Sequence, residues 1–382
     1  MEMNRIVGAM SGTSCDGLDL VYCEFEGYGT HTKATPQYFE WIPYPDEIQK
    51  WLLHMTSGEV SVGEVCQGHA FLGALFGKMI REYMERNSLV DRVDLIVSHG
   101  QTIYHIPESG KEFHETSSTL QIGDGDRISV ITGKQVLSDL RAKDMAVGGQ
   151  GAPLVVYTDY ALFSVPKKNI VMLNLGGIAN LTLLPASQDF QQVMAFDTGP
   201  SNVLIDWGMR AFFNQLYDHQ GDCARSGAHN DELFQFLIEL EKPYASQKPP
   251  KSTGKEVRYN ETYLSRIFQW MLEHETPPQD LIRTLTDFTI HSVIDAIHSY
   301  LPPIDGMLIA GGGGLNPMLV EGIQKLLPEV DVSVMDEMWI KAKEAIAFSL
   351  MGNEYLHHRS ANVPSATGAS RPVVLGKLSL PD

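Results

Sequence analysis

The feature that most constrains the fold is a glycine-rich turn between two short apolar runs, which occurs twice. The first turn, Gly8–Asp19 (GAMSGTSCDGLD), separates the apolar pair Ile6-Val7 from the apolar run Leu18–Cys23. The second turn, Asn174–Asn180 (NLGGIAN), lies roughly 160 residues later between two further apolar runs. Each pattern predicts two antiparallel strands joined by a turn. We therefore predict two similar lobes, each built on one such β-hairpin.

The first turn holds more small donors and acids than a hairpin needs. Gly12, Thr13 and Ser14 stand together with two carboxylates, Asp16 and Asp19. Such a set predicts a phosphate cradle, in which N–H groups and hydroxyls face an anion while an acid holds a metal ion or a water. An ordinary polar turn is the alternative, because the same residue types are common in turns that bind nothing.

The charge balance disfavours one class of partner. The 382-residue chain carries a formal net charge of −18, with 47 Asp and Glu against 29 Lys and Arg, and it has no basic block. Nucleic-acid binding needs a clustered positive face, so we expect no nucleic-acid partner. An anionic nucleotide could still bind, because a local nest of N–H groups and a divalent metal can outweigh the overall charge.

Length and apolar pattern suggest a soluble protein of two domains. The apolar runs are too short for a membrane span or a signal-peptide core, so we predict a cytoplasmic protein with no membrane partner. The four cysteines include no CxxC pair, and we therefore expect neither a zinc site nor a disulfide framework.

Hydrophobic periodicity predicts the main elements of the remaining chain. Apolar spacing predicts a helix over 59–87, and the run 93–97 predicts a buried strand that ends at Ser98–Thr102. Polar residues past a strand end are where open α/β sheets bind ligands, although His99 is interpreted here as a structural residue. Further helices are predicted over 281–301, 318–327 and 341–356, with a strand over 306–310.

Several charged residues are candidate ligands for a substrate. Arg141 and Lys143 precede a glycine-rich stretch and could hold a carboxylate or phosphate, although that stretch could also be an irregular linker. Glu344, in the last predicted helix, either projects into a ligand cleft or forms the solvent edge. Lys251 and Lys255, in a Pro-rich loop, are interpreted as solvated surface charges.

Asp197 is the candidate catalytic residue. It follows the predicted strand 193–196 and precedes Thr198–Asn202, in which Ser201 is a candidate N-cap for the next helix. A carboxylate at a strand end can accept a proton from an attacking water or hydroxyl, the general-base role that phosphoryl transfer to oxygen needs. An Asp that only caps the turn is the alternative.

A third glycine-rich segment, Gly311–Asn316, follows the predicted strand 306–310. Its four consecutive glycines would let the backbone lie against a flat group such as a nucleoside, or they form a plain flexible turn. No Gly-Lys pair is followed by Ser or Thr in a P-loop frame, and neither HExxH nor GxSxG occurs. These absences disfavour P-loop proteins, metalloproteases and α/β-hydrolases.

Eight segments together carry a family resemblance. In chain order they are SGTSCDGLD, SHGQTI, QIGD, GGQGAPLV, NLGGIAN, FDTGPSN, KSTG and GGGGLN. The chain resembles the anhydro-N-acetylmuramic acid kinases, within the acetate and sugar kinase, heat-shock ATPase and actin superfamily. The resemblance implies an α/β actin-like ATPase fold of two RNase H-like lobes with ATP in an interlobe cleft. We expect an N-terminal lobe of residues 1–165 plus 355–382 and a C-terminal lobe of residues 166–354.

The resemblance also implies a reaction, in which water opens the 1,6-anhydro ring of anhydro-N-acetylmuramic acid and ATP phosphorylates O6, as part of cell-wall recycling. Asp197 matches the family's catalytic aspartate and would deprotonate the attacking water. Thr102, Arg141 or Lys143, and Glu344 would line the sugar site.

The nucleotide site implied by the resemblance combines three glycine-bearing segments. The first turn would hold the triphosphate and Mg²⁺, with Asp16 and Asp19 as metal ligands. The implied ATP-binding residues are Gly12, Thr13, Ser14, Cys15, Asp16, Gly17, Leu18, Asp19, Gly176, Gly177, Asn180, Gly312, Gly313 and Asn316. A homodimer is implied as well.

One departure from the family pattern bears on the identity of the sugar. The family often has Asp-Phe-Arg-Arg-Arg-Asp where this chain has Asp139–Asp144 (DLRAKD). If the last basic position holds the lactyl carboxylate, Lys143 offers a point charge in place of a bidentate fork. A sugar without a lactyl group, such as levoglucosan, is therefore an alternative substrate. The sequence also leaves open an ATP-binding conformational switch, and a glycosidase that uses Asp197 and Glu344 as paired carboxylates.

Overall fold

Both predicted hairpins form, and each belongs to a different β-sheet. The computed structural model describes residues 3–110, 112, 115–254 and 258–382. The chain divides into two units, each with its own sheet. The first unit runs to Phe163 and resumes over Lys341–Asp382, and the second unit is Ser164–Ile340.

The described residues form strands β1 to β12 and helices α1 to α13. The strands, in chain order, are Met3–Ser11, Gly17–Glu26, Lys33–Pro43, Leu95–Ile106, Ser118–Ile122, Val136–Ser138, Ile170–Leu175, Ile178–Leu184, Met194–Pro200, Gly306–Ala310, Asp331–Val334 and Lys377–Ser379. The helices, in chain order, are Asp46–Thr56, Val62–Arg86, Gly125–Thr132, Ala142–Met145, Val155–Phe163, Asn202–Phe213, Asp222–Ser226, Asp231–Ala245, Glu261–Glu273, Pro278–Tyr300, Pro317–Leu326, Glu337–Leu356 and Pro364–Thr367.

Five strands of the first sheet have the strand order and strand directions of the second sheet, and β5 and β12 are additional strands of the first sheet. In the first unit the order is β12-β6-β4-β1-β2-β3, with β5 paired to β4, and in the second it is β11-β10-β7-β8-β9. Each sheet begins with an antiparallel three-strand meander, beside which the next strand runs parallel to the first strand of that meander. This is the RNase H-like arrangement, so the predicted fold class is confirmed for each unit.

Helix α12 packs on the first sheet. A Cβ atom at Gly8 on β1 would overlap the Ala345 carbonyl oxygen and the Ser349 hydroxyl, and one at Gly352 would overlap Val97 on β4. Glycine at both positions therefore lets helix and sheet backbones approach closely. Because of this packing, residues 341–354 group with the first unit, and the predicted C-terminal lobe of 166–354 is wrong at that end.

The helix predicted over 59–87 is confirmed as α2, and its start is set by local chemistry. Ser61 Oγ accepts a hydrogen bond from the Glu64 N–H, while the Glu64 carboxylate accepts one from the Ser61 N–H. This reciprocal capping box satisfies two donors that a helix N-terminus leaves open. Leu72, Phe76 and Ile80 lie along one face and are fully buried in the core of the first unit.

Two strands extend further than predicted, and both extensions carry candidate site residues. The prediction that β4 ends at Ser98 is wrong, because β5 pairs with the part of β4 that runs on to Ile106. Strand β9 continues to Pro200 through a bulge opposite Ala179 and Asn180. Asp197 therefore lies inside a strand and beside a bulge, where local distortion commonly re-aims a side chain.

None of the helices in the described ranges is both long and apolar enough to cross a membrane. The four cysteines are free thiols, with Cys15 and Cys23 buried.

Replacing Gly8 tests the close approach of α12 to the sheet. We expect Gly8→Ala to lower the free energy of unfolding by about 1–3 kcal/mol, the usual cost of overpacking, because the added methyl overlaps the helix. Gly63→Ala in α2 is the control, since its Cβ has room and alanine favours a helix. Urea denaturation measures both variants. A Gly8→Ala protein as stable as the wild type would contradict the packing described.

Candidate active site

The first turn exposes its hydroxyls and hides its thiol. Thr13 and Ser14 are exposed, and Ser14 Oγ donates a 2.6 Å hydrogen bond to Asp16 Oδ1. Cys15 adopts a left-handed backbone (φ +54°), its N–H donates to the Gly12 carbonyl, and its side chain is 0% exposed in the core. The turn thus presents hydroxyls and one carboxylate to solvent.

Three predicted nucleotide-binding residues of this segment face the protein interior. Gly17 and Leu18 lie in β2 and are buried, and a Cβ at Gly17 would overlap the Trp41 ring. The side chains of Cys15 and Leu18 fill the core of the first unit. Only their backbone groups remain available to a ligand.

A series of buried side-chain hydrogen bonds, which the sequence does not reveal, supports the first turn from the protein interior. Gln101 Nε2 donates to the Gly12 carbonyl oxygen at 3.1 Å, and Gln101 Oε1 accepts from Ser11 Oγ at 2.6 Å. The Ser11 hydroxyl also contacts the Tyr44 hydroxyl at 2.8 Å. Ser11 and Gln101 are fully buried, so this series of hydrogen bonds fixes the backbone of Gly12.

Two carboxylates of the first unit act on the Asp19 carboxyl. Burial, followed by the charges of Glu344 and Asp16, raises the pKa of the Asp19 carboxyl to about 6. Among the described residues, no group of three or more His, Cys, Asp or Glu side chains is arranged to hold a metal ion. Mg²⁺ in phosphate sites is commonly bound by one or two carboxylates together with phosphate and water oxygens. Asp16 and Asp19 fit that donor chemistry, because they are oxygen ligands at a site with excess negative charge.

Arg141 is held by two neutral acceptors. Its Nε donates to His99 Nε2 at 2.9 Å, and its Nη1 donates to the Gly151 carbonyl oxygen at 2.7 Å. The other imidazole nitrogen, Nδ1, lies 2.9 Å from the Gly100 carbonyl oxygen, which assigns it the proton. Burial, followed by the charge of Arg141, lowers the pKa of His99 to about 3. His99 is therefore a neutral residue that positions Arg141.

A buried carboxylate fixes the loop that follows Arg141. Asp144 Oδ2 accepts from the Gly151 N–H at 2.8 Å, and Asp144 Oδ1 accepts from Asn362 Nδ2 and Thr367 Oγ1. The Gly151 carbonyl that binds Arg141 is thus tied through Asp144 to the C-terminal segment. The glycine-rich stretch is an ordered support, and the alternative of an irregular linker is wrong.

The predicted sugar-site residues differ in their surroundings. Glu344 keeps solvent-accessible surface, yet burial raises the pKa of its carboxyl against the opposing charges of Arg141 and Lys343. Lys343 itself is paired with the buried Asp159 at 3.0 Å. Thr102 lies on β4, where its hydroxyl accepts from a glutamine side chain. Arg141 is among the charges that act on Glu344, whereas the exposed Lys143 is not.

In the second unit, one row of polar side chains crosses three strands. Asn174 on β7 is paired with Asn180 on β8, and Asn180 is paired with Asp197 on β9. Directly paired residues of adjacent strands project from the same face of a sheet. The two amides and the carboxylate are therefore neighbours on one face.

The second turn meets the start of helix α6. The N–H groups of Ser201 and Val203 donate to the Gly177 carbonyl oxygen, and the Asn202 N–H donates to the Gly176 carbonyl oxygen. These backbone bonds replace the predicted side-chain cap, because Ser201 Oγ is buried without a hydrogen-bond partner among the described residues. The turn and the helix start form one hydrogen-bonded unit.

The third glycine segment packs against the second turn. A Cβ at Gly313 would contact Leu175 and the Asn202 amide, whereas Gly312 is exposed with open space around its Cα. Asn316 is buried, and its Oδ1 caps helix α11 by accepting from the Met318 N–H. The exposed surface of this segment is therefore glycine backbone, and the Asn316 side-chain oxygen is committed to the cap.

The Asp197 carboxylate is held by a neighbouring loop. Asp197 Oδ2 accepts from Ser252 Oγ at 3.0 Å and from the Thr253 N–H at 2.8 Å, and the Asp197 N–H donates to the Lys251 carbonyl oxygen. Burial raises the pKa of the Asp197 carboxyl, and the two hydrogen bonds and the Lys251 charge act in the opposite direction. Because both bonds go to Oδ2, Oδ1 has no partner among the described residues and remains available to accept a proton.

Lys251 anchors this loop, which corrects its interpretation as a surface charge. The side chain is 7% exposed, and Nζ donates to the carbonyl oxygens of Tyr244 and Ala245 at 3.2 and 3.0 Å. The ammonium also lies over the Tyr244 and Tyr300 rings, 4.8 and 5.4 Å from their centroids. Lys255 lies outside the described residues.

The family model described as anhydro-N-acetylmuramic acid kinase matches residues 4–381. The chain belongs to this family. A relative named anhydro-N-acetylmuramic acid kinase, from Caldanaerobacter subterraneus subsp. tengcongensis, is 38% identical over 390 residues, covering 99% of this chain and 98% of its own. A Clostridioides difficile protein of the same name is 41% identical over 383 residues, covering 98% of this chain and 97% of its own. The resemblance seen in the sequence is thereby confirmed, and the protein is a kinase.

The supporting residues of the site are not evident from the sequence. Their common property is that they hydrogen-bond to candidate site residues and hold them in position. Gln101 is part of the segment SHGQTI, yet nothing in its local pattern points to Gly12. Ser252 and Thr253 stand in KSTG, a segment that matches the family without an assigned role. A buried lysine gives no periodic signal, so only the fold reveals the position of Lys251.

Replacing Lys251 tests how the loop controls Asp197. We expect Lys251→Met to raise the pKa of Asp197, because the variant removes a nearby positive charge and loosens the loop that donates to Oδ2. The acidic limb of the kcat/KM profile for sugar phosphorylation should therefore move to higher pH. Lys248→Met, an exposed change in the same loop, should leave the profile unchanged. Identical profiles for both variants would contradict the anchoring role.

Replacing Glu344 tests the coupling of the carboxylates in the first unit. Glu344 raises the pKa of Asp19, so Glu344→Gln should lower that pKa from about 6 toward the ordinary aspartate range. Carboxyl-carbon NMR titration measures the change, with Asp19→Asn used to assign the signal. Glu82→Gln, an exposed change on α2, serves as control. An unchanged Asp19 titration in Glu344→Gln would show that the two groups do not interact.

Proposed function

We propose that the protein is an ATP-dependent kinase that hydrolytically opens 1,6-anhydro-N-acetylmuramic acid and phosphorylates O6, giving N-acetylmuramic acid 6-phosphate and ADP. Water forms a new bond to C1, and the bond between C1 and the bridging O6 breaks. O6 then takes the γ-phosphoryl group, whose bond to ADP breaks. The proton of the attacking water passes to a carboxylate of the protein. This reaction would place the enzyme in cell-wall recycling.

Asp197 is the proposed acceptor of that proton, and its environment is the observation that carries the proposal. The carboxylate is half-buried, which raises its proton affinity, while two donors fix one oxygen and leave Oδ1 open. A general base needs a proton affinity matched to its task together with a fixed orientation. The loop built on Lys251 provides the orientation.

The nucleotide would bind to backbone groups and small side chains of the glycine-bearing turns. In the first unit, Thr13 and Ser14 offer exposed hydroxyls beside the N–H groups of the turn. In the second unit, Gly177 and Gly312 offer exposed backbone that no side chain covers. Asp16 and Asp19 would hold Mg²⁺, which neutralises phosphate charge when it is bound. An anionic ligand can bind here although the chain is acidic. The backbone N–H groups and hydroxyls of the turns are local dipoles whose positive ends can face the anion.

On the sugar side, Arg141 and Glu344 carry opposite charges that act on each other, and both side chains can bind hydroxyl and amide groups. Arg141 is pre-oriented by His99, so little side-chain entropy is lost when it binds. Thr102 adds a hydroxyl, whereas Lys143 is the weaker candidate because, unlike Arg141, it is not among the charges that act on Glu344. A homodimer and a cytoplasmic location stay predictions.

The direct experiment incubates the protein with ATP, Mg²⁺ and anhydro-N-acetylmuramic acid and follows ADP release and product mass. We expect a product heavier than the sugar by one phosphoryl group and one water. Asp197→Asn should reduce turnover by at least about 100-fold, the lower range for removal of a general base, and should leave ATP binding unchanged. Asp206→Asn, another half-buried aspartate of the second unit, is the matched control and should retain turnover.

Two results would contradict the proposal. Phosphorylation that leaves the anhydro ring intact would assign the protein to another class of sugar kinase. Near-normal turnover by Asp197→Asn would show that a different group accepts the proton.

A further inference from the structure

Both amide protons of the Gln101 side chain are bound to backbone carbonyl oxygens. The residue is 0% exposed, and its Nε2 donates to the Gly12 carbonyl oxygen at 3.1 Å and to the Thr102 carbonyl oxygen at 3.2 Å. A glutamine amide nitrogen carries two protons, so these two acceptors account for both of them. One buried side chain therefore joins the backbone of Gly12 to the backbone of Thr102.

The orientation of this amide is fixed by its partners. A carbonyl oxygen only accepts, so the atom that faces the Gly12 and Thr102 carbonyls must be the nitrogen. Oε1 then accepts the Ser11 hydroxyl proton at 2.6 Å, and the Ser11 oxygen is left to accept from the Tyr44 hydroxyl at 2.8 Å. A buried network of paired groups holds one arrangement, because each broken bond would leave a polar group unpaired.

The Gln101 amide lies where the pairing of strands β1 and β4 ends. The register of the two strands shifts between Ala9 and Ser11, and Ser11 opposite Gln101 is their last pair. Gly12 lies one residue beyond that pair. The Gln101 side chain therefore extends the connection between the two strands to the turn, where the ladder of backbone hydrogen bonds has stopped.

The two residues that Gln101 connects serve different ligands in the proposed reaction. Gly12 opens the turn whose exposed Thr13 and Ser14 would bind the phosphates of ATP. Thr102 would contact the sugar. Gln101 itself is fully buried, so it contacts neither ligand. Its contribution to binding is therefore the position of the two residues that it holds.

We propose that Gln101 is a positioning residue shared by the nucleotide and the sugar, with one amide fixing the ATP-binding turn at Gly12 and the sugar-binding strand at Thr102. This inference rests on the proposed function. A turn and a strand that are held in place before binding lose less entropy when their ligands bind. Loss of the amide should therefore weaken the binding of both ligands.

A second glutamine acts on Thr102 alone. Gln121 is 7% exposed, and its Nε2 donates to Thr102 Oγ1 at 3.1 Å and to Thr119 Oγ1 at 2.7 Å. Its side chain has no hydrogen bond to the first turn within the described ranges. Because Thr102 Oγ1 accepts this bond, its own proton is free to be donated to a sugar oxygen. Gln121 therefore matches Gln101 in residue type and burial, but it supports only the sugar side.

Steady-state kinetics with ATP and anhydro-N-acetylmuramic acid tests the shared role. Methionine has a similar length and no amide, so we expect Gln101→Met to raise KM roughly threefold to tenfold for each substrate, the loss of about one buried hydrogen bond on each side. The kcat should stay nearly unchanged, because ground-state and transition-state binding are weakened alike. Gln121→Met should raise the KM for the sugar and leave the KM for ATP unchanged. A Gln101→Met enzyme with either KM unchanged would overturn the proposal.

A control variant separates positioning from a general loss of stability. Thr132→Val in α3 removes the buried hydrogen bond from Thr132 Oγ1 to the Ile128 carbonyl oxygen. It should lower Tm and leave both KM values unchanged. If Gln101→Met does not fold, Gln101→Glu takes its place with the same expected result, because a carboxyl keeps the volume and cannot donate to two carbonyl oxygens.

A double variant tests whether Gln101 acts on the sugar through Thr102. Added to Thr102→Ala, Gln101→Met should still raise the KM for ATP. It should not raise the KM for the sugar further, because the hydroxyl that it positions is already absent. A further rise in the sugar KM of the double variant would overturn the action through Thr102.

Calorimetric titration of ATP and of the sugar into the wild-type protein and Gln101→Met separates this inference from the proposed function. Binding of both ligands that weakens in Gln101→Met, without any release of ADP by the wild type, would contradict the proposed function and support the shared role. Turnover with both affinities independent of Gln101 would contradict the shared role and support the proposed function. Failure of the wild-type protein to bind either ligand would contradict both.

Discussion

The second unit depends on how one buried ammonium holds a loop along the edge of a sheet. Strand β9 is an edge strand, and an edge leaves backbone groups open to unwanted pairing. The loop that carries Lys251 covers part of this edge, because the Asp197 N–H donates to the Lys251 carbonyl oxygen. The same loop supplies both donors to the Asp197 carboxylate. One anchor therefore protects the edge and orients the proposed base.

The first and second glycine-bearing turns offer mainly backbone groups to a ligand. Each turn is held in place by hydrogen bonds to one of its own carbonyl oxygens. In the first unit a buried chain from Tyr44 through Ser11 and Gln101 reaches the Gly12 carbonyl. In the second unit the Gly177 carbonyl receives the first N–H groups of α6. These hydrogen bonds hold both turns in place without a ligand, which reduces the entropy that the turns themselves would lose on binding a phosphate group. The same β-hairpin serves both units with different supports.

Much of this can be predicted from sequence, because the signals are local. The two hairpins, the helix α2 and the strand Gly306–Ala310 follow from apolar runs and turn residues, and the ordered motifs identify the family. The ends of β4 and β9 cannot be predicted in this way, since strands there are prolonged by pairing with β5 and β8. The grouping of residues 341–354 with the first unit also depends on a long-range contact, between α12 and Gly8.

The same distinction between local signals and long-range contacts applies to the site residues. Asp197 and the hydroxyls of the first turn can be put forward as candidates from sequence, because their chemistry is visible in the residue type and the motif. Lys251 is misread from sequence, since a lysine in a Pro-rich loop has the local pattern of a surface charge and only the packing of Tyr244 and Tyr300 buries it. Cys15 lies in the same sequence motif as the exposed Thr13 and Ser14, so the sequence does not distinguish it from them. In the structure Cys15 has a left-handed backbone and its thiol lies in the core.

The central claim is that water, activated at Asp197, attacks the sugar carbon while the bridging oxygen takes the phosphoryl group. Turnover in ¹⁸O-labelled water, with rapid quenching and mass analysis of the product, tests this most directly. A parallel sample of unlabelled product corrects for exchange at the anomeric carbon. The account predicts one ¹⁸O on C1 and none in the phosphoryl group. Label in the phosphoryl group, or a product without label on C1, would contradict it.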